Sequence, residues 1–113
     1  MDRVSVLQRM TVLSIACALG AYAAAASPQT NVVTHTIAIE DMRFQPESLI
    51  VHRGDRIVWH NKDLVPHTAT VNGMFDSSSI APEGSWTYMA EKSGTLSYVC
   101  RFHPTMKGTL IVQ

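Results

Sequence analysis

The C-terminal stretch at residues 95–112 reads TLSYVCRFHPTMKGTLIV and decides the fold class. Leu96, Tyr98 and Cys100 alternate with Thr95 and Ser97, and after a short loop residues 108–112 end the chain in a second segment rich in β-branched residues. Alternation with a period of two is typical of half-buried strands, and β-branched residues are common in strands, so both segments are predicted to be strands. Side chains two residues apart share a face of a strand, and Cys100 is therefore predicted to point inward beside Tyr98.

The same alternation recurs upstream, between turn residues and without a sustained helical period. Five further strands are predicted, at 36–40, 49–51, 57–61, 67–71 and 86–89. Residues 74–84, which contain three successive serines and Pro82, fit none of these patterns. Short strands separated by turn signals predict an all-β fold, an antiparallel β-sandwich in a single domain.

The N-terminal residues 1–26 are predicted to be a secretory signal peptide. Arg3 and Arg9 give a positive start, an apolar and alanine-rich run follows, and Ala24 and Ala26 fit a small-x-small cleavage site. The apolar run approaches the roughly 20 residues that span a bilayer, so a retained membrane anchor is the alternative. The alanine content and the cleavage site favour the signal peptide.

Without residues 1–26 the chain keeps 87 residues, a short polar leader at 27–33 and one domain at 34–113. Seven Lys and Arg then stand against eight Asp and Glu, with no clustered run of either sign. This balance of charge argues against nucleic acid as the partner. Once the signal peptide has been cleaved, it also argues against a membrane as the partner. Cys17 is removed with the signal peptide, so Cys100 has no thiol to pair with in an internal disulfide.

Three donors of a soft metal site follow each other closely in the loop after Cys100. Cys100, His103 and Met106 are three residues apart, and His67 lies 33 residues upstream on a predicted inward strand face. Trigonal blue-copper sites use two histidines, one cysteine and a long axial methionine. We therefore predict that these four residues bind one copper ion, which cycles between Cu(I) and Cu(II).

Each of these residues alone has an ordinary interpretation, as a loop histidine, a buried thiol or a core methionine. Zinc also accepts Cys and His, but a thioether is a poor zinc ligand. A Cys–His nucleophilic enzyme would need a base and a substrate cleft, for which the chain is short. The joint spacing favours copper, and we predict that the protein is not an enzyme.

Asn61 is the candidate for support of the site. It shares a strand face with Ile57 and Trp59, and its amide is predicted to tie the His67 loop to the Cys100 strand. An equally good interpretation makes Asn61 a turn-favouring residue with no role in the site.

The remaining histidines are predicted to be ordinary. His52 and His60 lie on strand faces opposite apolar residues and are expected to be exposed. His35 shares a face with Ile37, at a strand start that is expected to fray.

Apolar residues flank two of the predicted ligands. Val65 and Pro66 precede His67, and Phe102 and Pro104 enclose His103. Exposed apolar residues in such a group suit a docking patch, and a small patch suits brief contacts rather than tight binding. Electrons are predicted to pass through His103.

With these residues in place, the sequence resembles the cupredoxins, the type 1 blue copper proteins. Within them it is most similar to the plastocyanin/amicyanin group. The resemblance covers about residues 34–113, and it rests on Cys-x-x-His-x-x-Met at 100–106 with the short spacing of the amicyanins. Asn61, six residues before His67, also fits.

The resemblance implies a Greek-key β-sandwich of about eight strands, the cupredoxin-like fold, and one-electron transfer in the bacterial periplasm. It implies a monomer whose transient partners are redox proteins, either a c-type cytochrome or a periplasmic dehydrogenase or oxidase. The alternative function is a periplasmic copper carrier or storage protein that hands over the metal without redox cycling. Such proteins tend to have open Met- and His-rich sites, which this sequence does not show.

Overall fold

The structure, a computed structural model, describes residues 16, 18, 20, 21 and 31–113. Most of the predicted signal peptide and of the polar leader therefore lie outside the described residues. Among the residues that are described, no helix is long and apolar enough to cross a membrane.

Nine strands form the folded part of the chain, and no helix occurs within residues 31–113. Their bounds are Thr34–Glu40 for β1, Arg43–Gln45 for β2, Ser48–Val51 for β3, Arg56–Asn61 for β4, Thr70–Val71 for β5, Phe75–Asp76 for β6, Ser85–Met89 for β7, Gly94–Val99 for β8 and Lys107–Val112 for β9. One sheet has the order β2-β1-β4-β7 and the other the order β3-β9-β8-β5-β6. The predicted all-β sandwich is confirmed.

The expectation of a wholly antiparallel sandwich is wrong in two places. β1 pairs with β4 in parallel, and β3 pairs with β9 in parallel. The strands of each pair are not consecutive in the chain, since β2 and β3 lie between β1 and β4, and β4 to β8 lie between β3 and β9. Alternation predicts which face of a strand is buried, but it carries no information on the direction of the neighbouring strand.

Two strands were not predicted from the sequence, and one predicted strand is shorter than expected. β2 and β6 contain only three and two residues, too few for a period of two to be recognised. The predicted strand at 67–71 is reduced to β5, because His67 makes only an isolated bridge to Ile80. With His67 facing inward, alternation along a strand at 67–71 turns Thr68 and Thr70 outward, but both are buried.

Apolar side chains from both sheets meet in one core. Ile57 and Trp59 of β4 and Tyr98 of β8 are completely buried, as their alternation predicted. The rings of Trp59 and Tyr98 meet edge to face with 5.4 Å between centroids, and Phe44 of β2 meets Tyr98 at 4.7 Å. Contacts of this kind join the two layers across the sandwich.

Gly108 makes room for Tyr98. The two residues are partners in the antiparallel register of β8 and β9. A Cβ atom on Gly108 would lie 2.1 Å from Cζ of the Tyr98 ring, so no other residue fits there without a shift of the ring. Burial raises the pKa of Tyr98 to about 12, so the ring remains neutral in the core.

We expect Gly108→Ala to lower the free energy of unfolding by roughly 1–3 kcal/mol, since the added methyl group overpacks the site of the Tyr98 ring. Urea denaturation measures the change. In a Tyr98→Leu background the same substitution should cost much less, because the atoms that it meets are gone. An equal cost in both backgrounds would assign the effect to the backbone of β9 instead.

Candidate metal centre

His67 reaches the core from the loop between β4 and β5. Its backbone pairs with that of Ile80 in both directions, with 3.2 Å from His67 N to Ile80 O and 2.7 Å from Ile80 N to His67 O. The bridge fixes the backbone at this residue and buries the side chain completely. The ring presents Nδ1 toward Cys100, whose Sγ lies 3.7 Å away.

Cys100 directly follows β8 and is also completely buried. Its Sγ accepts the backbone N–H of Thr68 at 3.3 Å, in the segment that carries His67. The thiol therefore contacts both the ring of His67 and the backbone of the next residue, Thr68. The thiolate is the form of a cysteine side chain that binds metals.

The loop from Cys100 to Met106 is closed by three backbone hydrogen bonds. His103 N donates to Cys100 O at 3.2 Å, Met106 N donates to His103 O at 2.8 Å, and Cys100 N donates to Met106 O at 3.1 Å. Each bond joins two of the three predicted ligands. The three-residue spacing thus brings the backbones of these residues together in a compact double turn.

The four predicted ligands are gathered at one end of the sandwich. Met106 is buried, His103 is half-buried, and the rings of His67 and His103 meet edge to face with 5.3 Å between centroids. Within the described ranges, no three His, Cys, Asp or Glu side chains are close enough together to hold a metal ion as they stand. Of the four predicted ligands, His67 and Cys100 are the pair whose donor atoms contact each other.

The spacing of that pair agrees with a shared metal ion. An ion at about 2.0–2.1 Å from an imidazole nitrogen and about 2.3 Å from a thiolate, the distances of a tetrahedral zinc site, separates the two donors by about 3.6 Å. The distance from His67 Nδ1 to Cys100 Sγ is 3.7 Å. A buried thiol and an imidazole, with a buried thioether in the same loop, are a soft donor set, and such a set suits copper better than magnesium or calcium.

Asn61 supports the loop that ends at His67, but its hydrogen bonds do not reach the Cys100 strand. Its Nδ2 donates to Val65 O at 2.8 Å and to Ile80 O at 2.9 Å, while its Oδ1 accepts the N–H of Asp63 at 2.9 Å. All of these partners belong to the same loop or to the segment bridged to it. Asn61 therefore stabilises the loop through hydrogen bonds to the loop itself and to the segment bridged to it.

Thr68 makes the connection that was expected of Asn61. Besides its backbone bond to Cys100 Sγ, its Oγ1 accepts the N–H of Arg101 at 2.8 Å and the hydroxyl of Thr70 at 3.0 Å. The predicted strand alternation turned this side chain outward, so the sequence reasoning missed it. A hydroxyl residue directly after a candidate ligand was the one available signal.

Asp63 is a second residue that the sequence reasoning missed. Its Oδ2 lies 2.8 Å from Nε2 of His67, four residues later in the chain. Burial by itself raises the pKa of Asp63, but hydrogen bonds from Met42 N, His67 and Asp41 N outweigh it and hold the pKa below its usual value. The group is therefore a carboxylate at neutral pH.

An apolar surface covers the predicted ligands. Val65, Pro66, Phe102 and Pro104 are all exposed, as expected of a docking patch. Leu64, which the sequence analysis did not include, extends this surface and is 94% exposed. The one charged side chain between Cys100 and Met106, that of Arg101, pairs with Asp76 at 3.1 Å.

The three remaining histidines differ in their surroundings. His52 is exposed as predicted, but His60 is only half exposed and its Nδ1 lies 2.8 Å from Ser85 Oγ. His35 is not at a frayed end, because its Nε2 lies 2.9 Å from Oδ2 of the buried Asp55. The sequence analysis had assigned no partner to it.

Comparison with known proteins agrees with this arrangement. The sequence model of the cupredoxin-like domain family matches residues 10–112. Among individual proteins, amicyanin-alpha of Methylorubrum extorquens is 24% identical over 119 residues, which span 92% of this chain and 100% of that protein. Amicyanin of Paracoccus denitrificans is 26% identical over 83 residues, or 68% of this chain and 63% of that protein.

Solved structures resemble the fold. An oxidised proline-to-alanine variant of amicyanin superposes with a TM-score of 0.67 at 26% identity, over 71% of this chain and 82% of that one. A copper-containing nitrite reductase from Thermus scotoductus superposes with a TM-score of 0.67 at 22% identity, over 72% of this chain but 22% of the enzyme. At that identity the second likeness concerns the fold alone.

We expect Thr68→Val to lower the free energy of unfolding by about 1–3 kcal/mol, because a methyl group replaces the oxygen that accepts the Arg101 N–H. Thermal unfolding of the metal-free protein measures it. Thr68→Ser is the matched control, since it keeps the hydroxyl and should preserve most of the stability. If Val and Ser variants unfold alike, the hydroxyl is not what joins the two segments.

Proposed function

The chain belongs to the cupredoxin-like domain family, and on this basis we propose that it is an electron carrier with a single type 1 copper ion. His67, Cys100 and His103 would bind the ion strongly, and Met106 would be a weaker ligand. The copper supplies the redox couple, because it accepts and releases one electron between Cu(II) and Cu(I). The protein itself binds and positions the ion.

One observation carries the proposal: His67 Nδ1 and Cys100 Sγ, from distant parts of the sequence, lie 3.7 Å apart in a completely buried position. A buried imidazole beside a buried thiol lacks an obvious structural purpose, since apolar residues would fill the same volume without a need for polar partners. The Cys100–Met106 loop adds the backbones of two further soft or borderline donors.

The surrounding hydrogen bonds suit electron transfer because they hold the ligands in one arrangement. Asn61, Thr68 and the bridge to Ile80 fix the His67 segment, and the double turn fixes the loop. Because the ligands are held in one arrangement, they would move little when an electron arrives, and both oxidation states would use similar ligand positions. In our proposal the fold provides this rigidity.

The partners proposed for this carrier are other redox proteins, a c-type cytochrome or a periplasmic dehydrogenase or oxidase, which it meets briefly as a monomer. The apolar surface from Leu64 to Pro66, with Phe102 and Pro104, supports such docking, because its charged neighbour Arg101 is already paired. A periplasmic location follows from the signal peptide predicted at 1–26. In this proposal the protein itself catalyses no reaction.

Copper carriage or storage is the second candidate function. It requires a site that opens easily, whereas the buried ligands His67, Cys100 and Met106 favour retention of the metal. Incubation of the copper-loaded protein with a competing metal-free chaperone discriminates between the two. Slow loss of copper together with reversible one-electron voltammetry supports electron transfer, and rapid loss supports carriage.

We expect the protein to bind one copper ion and to show an intense visible absorption band from the thiolate. Cys100→Ser should abolish the band, because the absorbing sulfur is gone, and Met106→Leu should raise the reduction potential by loss of the axial donor. Absorption titration and voltammetry measure both effects. Met74→Leu is the matched control for the thioether, since Met74 is exposed on the turn before β6. A blue Cys100→Ser variant would refute the ligand assignment.

We expect Val65→Glu to slow electron exchange with a partner protein by at least about tenfold, because a carboxylate in the apolar patch must lose its water on docking. Stopped-flow kinetics measure the rate, and the absorption spectrum should stay unchanged. Met89→Glu is the matched control: Met89 is 43% exposed against 42% for Val65, and it lies beside Arg56 at the opposite end of β4. Equal slowing in both variants would exclude the patch as the docking surface.

A further inference from the structure

Asp63 connects the turn between β1 and β2 to the candidate ligand His67. Its Oδ1 accepts the backbone N–H of Asp41 at 2.8 Å, and its Oδ2 accepts that of Met42 at 3.1 Å. The same Oδ2 lies 2.8 Å from His67 Nε2. One carboxylate thus receives three N–H groups from two separate parts of the chain.

The turn that Asp63 supports has an unusual backbone. Asp41 and Met42 have φ values of 54° and 59°, in the left-handed region that non-glycine residues rarely adopt. Two successive residues of this kind form the tight turn of a two-residue hairpin, in which Asn-Gly is the common sequence. The carboxylate of Asp63 supplies acceptors for both amides of this turn, so its own position is fixed by the backbone.

The hydrogen bond between His67 and Asp63 determines which nitrogen of the His67 ring carries the proton. The Asp63 carboxylate can only accept hydrogen bonds, so Nε2 of His67 must donate. In a neutral imidazole the other nitrogen then holds a lone pair, and Nδ1 is the atom that faces Cys100 Sγ. The pair therefore orients the ring and selects the tautomer that a metal at this position needs.

We infer that Asp63 is a positioning residue that holds the Nε2–H tautomer of His67 and lowers the reduction potential of the copper. This inference rests on the proposed copper function and extends it. The negative charge is mostly buried beside one ligand, with 13% of the side chain exposed, and it favours Cu(II) over Cu(I) because Cu(II) carries the larger positive charge.

The chain contains a matched control for this role. Asp55 also receives two backbone N–H groups, from Val33 and His52, and its Oδ2 lies 2.9 Å from Nε2 of His35. Asp55 directly precedes β4, whereas Asp63 follows the other end of that strand. The two carboxylates have the same kinds of partner, but only Asp63 contacts a candidate ligand.

The test compares Asp63→Asn with Asp55→Asn. We expect both to reduce stability, but only Asp63→Asn to weaken Cu(II) binding, by roughly 10- to 100-fold. Cu(I) binding should fall less, so the potential rises by about 59 mV for each tenfold difference between the two states. An unchanged potential in Asp63→Asn, or an equal rise in Asp55→Asn, would overturn the inference.

A second measurement uses the metal-free wild-type protein and needs no variant to fold. Nitrogen-15 NMR of the His67 ring distinguishes the two tautomers, and a proton on Nε2 is the expected result. A proton on Nδ1 would overturn the inference, whatever the variants do. If the wild type binds no copper, the proposed function fails, and the NMR result still decides whether Asp63 selects the tautomer.

Discussion

The hydrogen bond from the Thr68 amide to Cys100 Sγ is the contact on which the site depends. It joins a buried irregular segment to the end of β8, at 3.3 Å, where no regular ladder continues. Buried backbone groups need partners, and here sulfur, a threonine hydroxyl and the backbone of Ile80 serve instead of a neighbouring strand. Because these partners are fixed, His67 has one position only, with its ring against the thiol.

The two ends of β4 show how the same physical device can serve different purposes. At each end an aspartate accepts two backbone amides and a histidine Nε2–H, which keeps the carboxylate charged in a poorly solvated place. The backbone amide of His52 is the largest of the causes that hold the pKa of Asp55 low, and this pair stabilises the base of the sandwich. At the other end the Asp63 pair acts on a candidate ligand, so its charge bears on the metal as well as on the fold.

The proposed function depends on two physical properties of the protein, a rigid interior and an apolar surface. Inside, the backbones of the candidate ligands are held by hydrogen bonds of the protein itself. Outside, Leu64, Val65 and Phe102 expose a small apolar surface, and in the proposed docking its burial would be favourable but small, so that contacts would form and end quickly. A carrier needs both properties, since each transfer requires one encounter and no rearrangement.

The sequence by itself determined the core and the candidate ligands. Alternation predicted that Trp59 and Tyr98 are buried, because side chains two apart face the same way in any sheet. The three-residue steps after Cys100 likewise predicted that three donors share one loop. Strand partners, the two parallel pairs, and the roles of Thr68 and Asp63 were decided only by the tertiary structure. Contacts between residues distant in sequence leave no periodic pattern, and a hydrogen bond to a turn more than twenty residues earlier can be recognised only after the chain has folded.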